Sequence, residues 1–307
     1  MDNTYEVIII GGGPAGLSAG IYASRARLHT LLIEKGIFGG QITNAMHVEN
    51  YPGFPNGISG FDLGELMHQQ ATRYNLETRT AETSGIKPGD SDILIKTNEG
   101  DFTAKAVIVA GGAQFNKLGV PGETLLTGKG VSYCATCDGP FFKERVVAVI
   151  GGGDSAVEEA LLLTRFASKV ILIHRRAQLR ASMILQERAF ANEKIAFIWD
   201  TVVEEIQGDE QVTGLGIRHV KTDKRSALEA SAVFIYVGQS PQTDYLKGII
   251  PLDDEGRIIT NERMESGERG IFAAGDIRKN SSRQAITAAG DGATAAISAE
   301  KFLIEQQ

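Results

Sequence analysis

Val7-Ile8-Ile9-Ile10-Gly11-Gly12-Gly13-Pro14-Ala15-Gly16 is the stretch that decides the fold. A short β-branched apolar run stopped by glycines reads as a buried parallel strand. Pro14 suits the first turn of a helix, where its missing N–H costs nothing. That helix is expected to reach about Arg27, and Thr30-Leu31-Leu32-Ile33 returns as a strand ending at Glu34. Strand, GxGxxG, helix, strand and acid together form the context of a dinucleotide-binding fingerprint. Gly11, Gly13 and Gly16 allow a tight turn that brings backbone N–H groups and a helix N-terminus to a pyrophosphate. Glu34, 18 residues past Gly16, can accept a hydrogen bond from a ribose hydroxyl.

The pattern returns 140 residues later. Val146-Val147-Ala148-Val149-Ile150 leads into Gly151-Gly152-Gly153-Asp154-Ser155-Ala156, a helix to about Phe166 and the strand Val170-Ile171-Leu172-Ile173. Two copies of one plan predict an α/β fold with two Rossmann-like dinucleotide-binding domains. In the first copy, Ser59 and Asp62 read as a helix cap with an acid at N3, with Leu63, Leu66 and Met67 on one apolar face. Strands are expected from Leu76 to Val109, with a hairpin at Asn98-Glu99-Gly100. A β-rich stretch runs from Ile195 to Val220, and Val233-Phe234-Ile235-Tyr236-Val237 closes the second copy. Gly111 to Leu118 and Gly238 to Thr243 are the candidate linkers. The tail reads as one more strand before Gly275-Asp276, then an alanine-rich helical stretch with glycine interruptions at Gly290 and Gly292.

The two fingerprints differ at one informative place. Counting 23 residues from the first glycine of each reaches Glu34 in one copy and His174 in the other, followed by Arg175, Arg176 and Arg180. A carboxylate suits a free ribose diol and repels a 2′-phosphate, whereas guanidinium groups bind one through paired, charge-assisted bonds. The first site is therefore expected to hold a nucleotide without that phosphate, and the second NADP(H). The bland alternative is a solvated basic turn.

Between the copies lies Tyr133-Cys134-Ala135-Thr136-Cys137-Asp138-Gly139, which holds the only two cysteines of the chain. Redox cycling needs a thiolate, a nearby partner thiol and a proton donor, and Asp138 can be that donor if burial raises its pKa. It could equally cap a helix. A structural zinc needs four ligands, and His29, His47, His68, His174 and His219 are not spaced to complete a site, so no metal is expected. A formal charge of −7 gives no encouragement to nucleic acid or anionic membrane as a partner. No apolar run is long enough to span a membrane, and Met1-Asp2-Asn3-Thr4 lacks the basic start of a signal peptide. Together with a lone CxxC, this reads as a cytoplasmic protein with a redox-active dithiol.

Taken together these residues resemble a known family, the low-molecular-weight, bacterial-type thioredoxin reductases, which are pyridine nucleotide-disulfide oxidoreductases carrying FAD. The resemblance covers essentially the whole chain, through both glycine turns, Gly39-Gly40-Gln41, Glu49-Asn50-Tyr51-Pro52-Gly53, the Cys134–Gly139 run, His174-Arg175-Arg176 with Arg180, and Ala273-Ala274-Gly275-Asp276 with Arg283-Gln284-Ala285. It implies an FAD site on Gly11, Gly13, Pro14, Ala15, Gly16, Glu34, Lys35, Gly39, Gly40, Gln41, Asn50, Gly112, Gly275, Asp276, Arg283, Gln284 and Ala285. Asp276 would bind the ribityl chain, and the helix after Gln284 would point its N-terminus at the flavin ring. It implies an NADPH site on Gly151, Gly153, Asp154, Ser155, His174, Arg175, Arg176 and Arg180, and a catalytic set of Cys134, Cys137 and Asp138.

By the same resemblance, residues 1–113 and 241–307 form a discontinuous FAD-binding domain, and residues 114–240 an inserted NADPH-binding domain carrying the CxxC. Electrons would pass from NADPH to FAD, to Cys134–Cys137, and on to thioredoxin, with one domain rotating about the linkers of a homodimer. Gly111, Gln239 and Ser282 depart from residues common in the family, which bears on the flavin surroundings rather than the reaction class. Alternatives are a different thioredoxin-like or glutaredoxin-like acceptor, a flavin-based redox sensor, and a zinc-stabilised binding module.

Overall fold

The computed structural model describes residues 3–45 and 48–306. The chain divides into two compact units, one formed by Met1–Gln114 with Ser240–Gln307, the other by Phe115–Gln239.

Unit 1 is built on a seven-stranded mixed sheet. Its parallel part runs in the order Glu77–Thr80, Thr30–Glu34, Thr4–Ile10, Gly100–Val109. Gly100–Val109 is long enough to do two jobs. Its first half pairs antiparallel with Ile93–Thr97, which pairs in turn with Thr83–Pro88, and its second half takes Ile271–Ala273 as a parallel partner. The expected hairpin is present, with Thr97 opposite Gly100 and the Thr97 hydroxyl donating to the Gly100 carbonyl at 2.6 Å.

Alternation of side chains explains why the strands read as unbroken apolar runs. Val7 and Ile9 face one core with Leu17, Ala19, Leu63, Met67, Ala288 and Ala295, from the helices Pro14–Arg25, Gly60–Thr72 and Ala285–Glu305. Ile8 and Ile10 face the other core, with Leu31, Ile33, Leu246 and Ile258. The Gly60–Thr72 helix begins as its sequence indicates, with the Ser59 hydroxyl accepting from Asp62 N–H at 3.0 Å. Leu63 and Met67 are buried, but Leu66 is 45% exposed. It lies about 100° round the helix from Met67 and falls off the edge of the apolar stripe.

The first helix stops at Arg25, two residues before the expected end, because Arg27 turns left-handed at φ 67°. The tail differs more. Ala285–Glu305 is one continuous helix of 21 residues that runs straight through Gly290 and Gly292.

Unit 2 repeats the plan with a five-stranded parallel sheet, ordered Ile195–Ile198, Lys169–Ile173, Val146–Gly151, Ala232–Tyr236, Val131–Ser132. Its second helix, Asp154–Leu163, is three residues shorter than expected, since Thr164 to Phe166 close as a turn. Thr201–Gln207, Gly214–His219 and Arg225–Glu229 add a three-stranded antiparallel sheet.

Candidate active site

Each unit places its glycine turn at the C-terminal end of an inner parallel strand, Thr4–Ile10 or Val146–Gly151, where ligands bind in open α/β sheets. In unit 1 the turn ends at Gly16, where a Cβ would sit 1.8 Å from the Gly11 carbonyl oxygen, so only glycine lets the helix pack this closely. Gly13 is the helix N-cap, with no side-chain cap and nothing nearer than 4.0 Å to a Cβ built there. Open space and uncapped amides at one helix end are what a pyrophosphate requires.

The Glu34 carboxylate is tied to this turn. It accepts from Gly12 N–H at 2.5 Å and from Gly36 N–H at 2.7 Å. Each oxygen keeps a second lone pair for a ribose hydroxyl.

The other unit 1 candidates come from distant segments. Gln41 donates its side-chain amide to the Ala113 carbonyl, Lys35 reaches Gln242 Oε1 at 3.3 Å, and Asn50 Nδ2 donates to Gln284 Oε1 at 3.2 Å. Gly39 and Gly40 open a short 3-10 turn with positive φ, and Gly112, also at positive φ, faces open space. Gln284 caps the Ala285–Glu305 helix with no side-chain bond, leaving its first amides available, and Arg283 N–H donates to Ser281 Oγ at 3.1 Å. The Asp276 carboxylate accepts from Ser281 Oγ at 2.8 Å. Burial raises its pKa above the ordinary aspartate value, opposed by that bond and by Arg283. A half-buried carboxyl close to a glycine turn that is open at Gly13 fits the polar chain of a flavin nucleotide.

In unit 2 Cys134 and Cys137 form a disulfide. Cys134 is the N-cap of the short helix Ala135–Asp138, and its sulfur accepts from Cys137 N–H at 3.2 Å. Two residues hold the helix start. Ser132 Oγ accepts from Cys134 N–H at 3.1 Å, and the Tyr236 hydroxyl oxygen accepts from Ala135 N–H at 2.7 Å. Burial pushes the Asp138 carboxyl above its ordinary range, with a Ser132 hydrogen bond opposing the shift. Asp138 ends that helix and stands at the N-cap position of the following 3-10 turn Gly139–Phe142, but its side chain makes no cap hydrogen bond there.

The second glycine turn has its own arrangement. Gly153 is an uncapped N-cap facing open space, while Asp154 Oδ1 accepts from Ser182 N–H at 2.6 Å and Ser155 follows in the first turn of the helix. His174 lies beneath the turn, 4% exposed, and a Cβ on Gly152 would meet its ring at 2.4 Å. Burial first, then Arg180, Arg176 and Arg175, lower its pKa, opposed by a hydrogen bond to the Gly151 backbone. Its Nε2 has no hydrogen-bond partner. Arg175, Arg176 and Arg180 are exposed, and no carboxylate pairs with them among the described residues. The positive charge here thus belongs to the arginines, and His174 is the floor on which the turn rests.

Among the described residues no group of three or more His, Cys, Asp or Glu could hold a metal ion, and no helix is long and apolar enough to cross a membrane. His47 lies outside the described residues.

Four residues escaped the sequence reading. Tyr236 reaches the CxxC from 101 residues away. Glu123, buried, accepts from Leu118 N–H, Gly119 N–H and the hydroxyl of Tyr133, the neighbour of Cys134. Asp291, buried, and Arg278, half-buried, form an ion pair, with Arg278 two residues along the chain from Asp276. A charged residue flanked by glycines in an alanine-rich helix was the one available hint for Asp291.

Comparison with known proteins agrees with this geometry. The family model described as pyridine nucleotide-disulphide oxidoreductase matches residues 5–292. A thioredoxin reductase of Bacillus subtilis is 47% identical over 307 residues, covering 100% of this chain and 97% of its own. One from Listeria monocytogenes is 48% identical over 305 residues, covering 99% and 95%. Among solved structures, thioredoxin reductase from Streptococcus pyogenes superposes with a TM-score of 0.95 at 46% identity, covering 99% of this chain and 100% of that one. That of Lactococcus lactis, 44% identical with 98% and 99% coverage, gives 0.67. The chain belongs to the pyridine nucleotide-disulphide oxidoreductase family, on its low-molecular-weight thioredoxin reductase branch.

Proposed function

We propose that this protein is an NADPH-dependent flavoprotein that reduces the disulfide of thioredoxin. Unit 1 is the FAD-binding domain, with the Gly11–Gly16 turn, Glu34 and Asp276 as its anchors. Unit 2 is the NADPH-binding domain, with the Gly151–Gly153 turn holding the pyrophosphate and Arg175, Arg176 and Arg180 the 2′-phosphate. The observation that carries the reading is in unit 2: one disulfide, a half-buried carboxyl of raised pKa next to it, and three guanidinium groups with no carboxylate partner among the described residues, beyond an open glycine turn.

When bound, the flavin supplies the two-electron relay between nicotinamide and disulfide, which is the cofactor's own chemistry. The chain's residues do the rest. The Cys134–Cys137 bond takes up two electrons and opens to a thiolate and a thiolate or thiol. One thiolate attacks a sulfur of the oxidised partner and forms a mixed disulfide. The other enzyme cysteine attacks that bond, re-forms Cys134–Cys137 and releases the partner as a dithiol. Asp138, whose pKa burial raises, is placed to give a proton to a sulfur leaving as thiolate and to recover one in the next half-cycle.

The assembly implied by the family is a homodimer in the cytoplasm. Exposed Tyr22 and Leu66 line a cleft of about 290 Å³ on unit 1, which a second copy could cover. Sedimentation should then give about twice the 32.9 kDa chain mass.

A visible spectrum tests the central reading. The purified protein should be yellow, bleach on anaerobic addition of NADPH, and recover its colour when oxidised thioredoxin is added. A preparation that stays colourless after reconstitution with FAD overturns it. Reduction rates with thioredoxin and with glutaredoxin-like proteins, compared side by side, identify the acceptor.

A further inference from the structure

Asp291 sits in the middle of the Ala285–Glu305 helix, buried, where an alanine would ordinarily be cheaper. Its Oδ2 accepts from Arg278 Nε at 2.6 Å and from Gly275 N–H at 3.2 Å, while its Oδ1 accepts from Arg278 Nη2 at 2.8 Å. Arg278 has one further bond, from Nη1 to the Lys279 carbonyl at 3.3 Å. Both ends of the turn that carries Asp276 are therefore gripped by one carboxylate, at Gly275 on one side and Arg278 on the other. A third hold comes from Ser281, directly on the Asp276 carboxylate.

The same stretch of helix touches the first glycine turn. A Cβ on Gly292 would lie 1.9 Å from the Ala15 carbonyl oxygen, and one on Gly275 would lie 3.0 Å from the Ala15 Cβ. Asp291 is thus braced against the start of the helix that receives the pyrophosphate. A two-point guanidinium–carboxylate fork fixes orientation as well as distance, which a lone hydrogen bond does not.

Burying such a pair brings little stability by itself, because two charges leave water and their attraction roughly offsets that loss. The fold alone gives no reason to keep it. We infer that Asp291 and Arg278 are positioning residues for the cofactor: they lock the Gly275–Arg278 turn so that Asp276 and the Gly11–Gly16 turn present a single preformed surface to the flavin nucleotide. This rests on the assignment of unit 1 to FAD.

The test is titration of the apo-protein with FAD, with NADP⁺ binding and the apo melting temperature measured alongside. R278M/D291L replaces the pair by apolar side chains of similar size, a change that is often neutral for stability, but it leaves Gly275 N–H without its acceptor. It should weaken FAD binding about 10- to 100-fold, the range seen when outer partners of metal-binding residues are removed. NADP⁺ binding should hold, and the apo melting temperature should fall no further than the one unpaired Gly275 N–H accounts for. D291N keeps an oxygen for Gly275 N–H and loses the charge pair, so its FAD affinity should fall between the two. Equal FAD affinity in wild type and R278M/D291L overturns the inference. So does a loss of FAD binding matched by losses in NADP⁺ binding and melting temperature, since the pair would then only hold the fold. A wild-type protein that takes up no FAD overturns the flavin assignment and the inference with it.

Discussion

In the proposed cycle Asp138 serves as the acid, and burial on the CxxC helix shifts its pKa upward, the direction that role needs. Thioredoxin reduction should decline as pH rises through its raised pKa. D138N should lower that turnover roughly 10²–10⁴-fold, the usual worth of a positioned acid, and leave bleaching by NADPH unchanged in stopped-flow traces. The effect on stability has a definite sign. A carboxyl whose folded pKa lies above its unfolded value binds its proton more tightly in the native state. Its burial costs nothing below the unfolded value and becomes a penalty as pH rises through the folded one. D138N should therefore melt higher than wild type near pH 8, and the difference should vanish toward about pH 4. At this scale the Cys134–Cys137 disulfide was legible, and Asp138 and the three arginines could be named as candidates, because each lies within a short motif of fixed spacing. Tyr236 and Asp291 were not. Each acts on a segment distant in sequence, 101 residues away for Tyr236, and a partner brought in by topology leaves no local pattern.

The helix Ala285–Glu305 is where reading by element went astray, since glycines ordinarily weaken helices and two of them stand close together here. Tertiary contact explains one. A methyl on Gly292 would collide with the Ala15 carbonyl, whereas a Cβ on Gly290 meets nothing within 4 Å. G290A should therefore stabilise the protein by about 0.8–1 kcal/mol through helix propensity. G292A should destabilise it by about 1–3 kcal/mol or more and weaken FAD retention, so thermal melts of the two variants should move in opposite directions. The parallel strands beside the two glycine turns, by contrast, were closely legible, because burial on both faces demands continuous apolar runs ended by glycine. Glu77–Thr80, Val131–Ser132 and Arg225–Glu229 lack such a run or are too short to show one.

The turn after Lys169–Ile173 carries a prediction of the same kind. Each hydrogen bond from an arginine to a phosphate contributes roughly 1.5–3 kcal/mol, and about 1.4 kcal/mol is tenfold in affinity. R175A/R176A should raise the apparent KM for NADPH about a hundredfold, less what solvent screening removes, and leave that for NADH nearly unchanged. Equal use of both cofactors by the wild type would mean that the arginines bind no phosphate.

For the whole molecule, the proposed electron path separates into two half-reactions that can be read apart. C134S or C137S should abolish thioredoxin reduction while the flavin still bleaches with NADPH, because hydride transfer precedes any use of the dithiol. Comparable thioredoxin turnover in wild type and both variants would remove the cysteines from the path. The discontinuity of unit 1 also has a consequence for how the chain is made. Its sheet takes a strand from Ile271–Ala273, and its first helix packs on Ala285–Glu305, so Leu17 and Ala19 have no complete core until the final helix arrives. A ribosome adds roughly 5–20 residues per second, so the first 114 residues wait roughly 10–40 s for their partners. Residues 115–239 form a unit of their own and depend on nothing still unmade. The inserted unit is therefore the first to mature, and a premature stop codon near the end of the message would ruin the unit that translation began first.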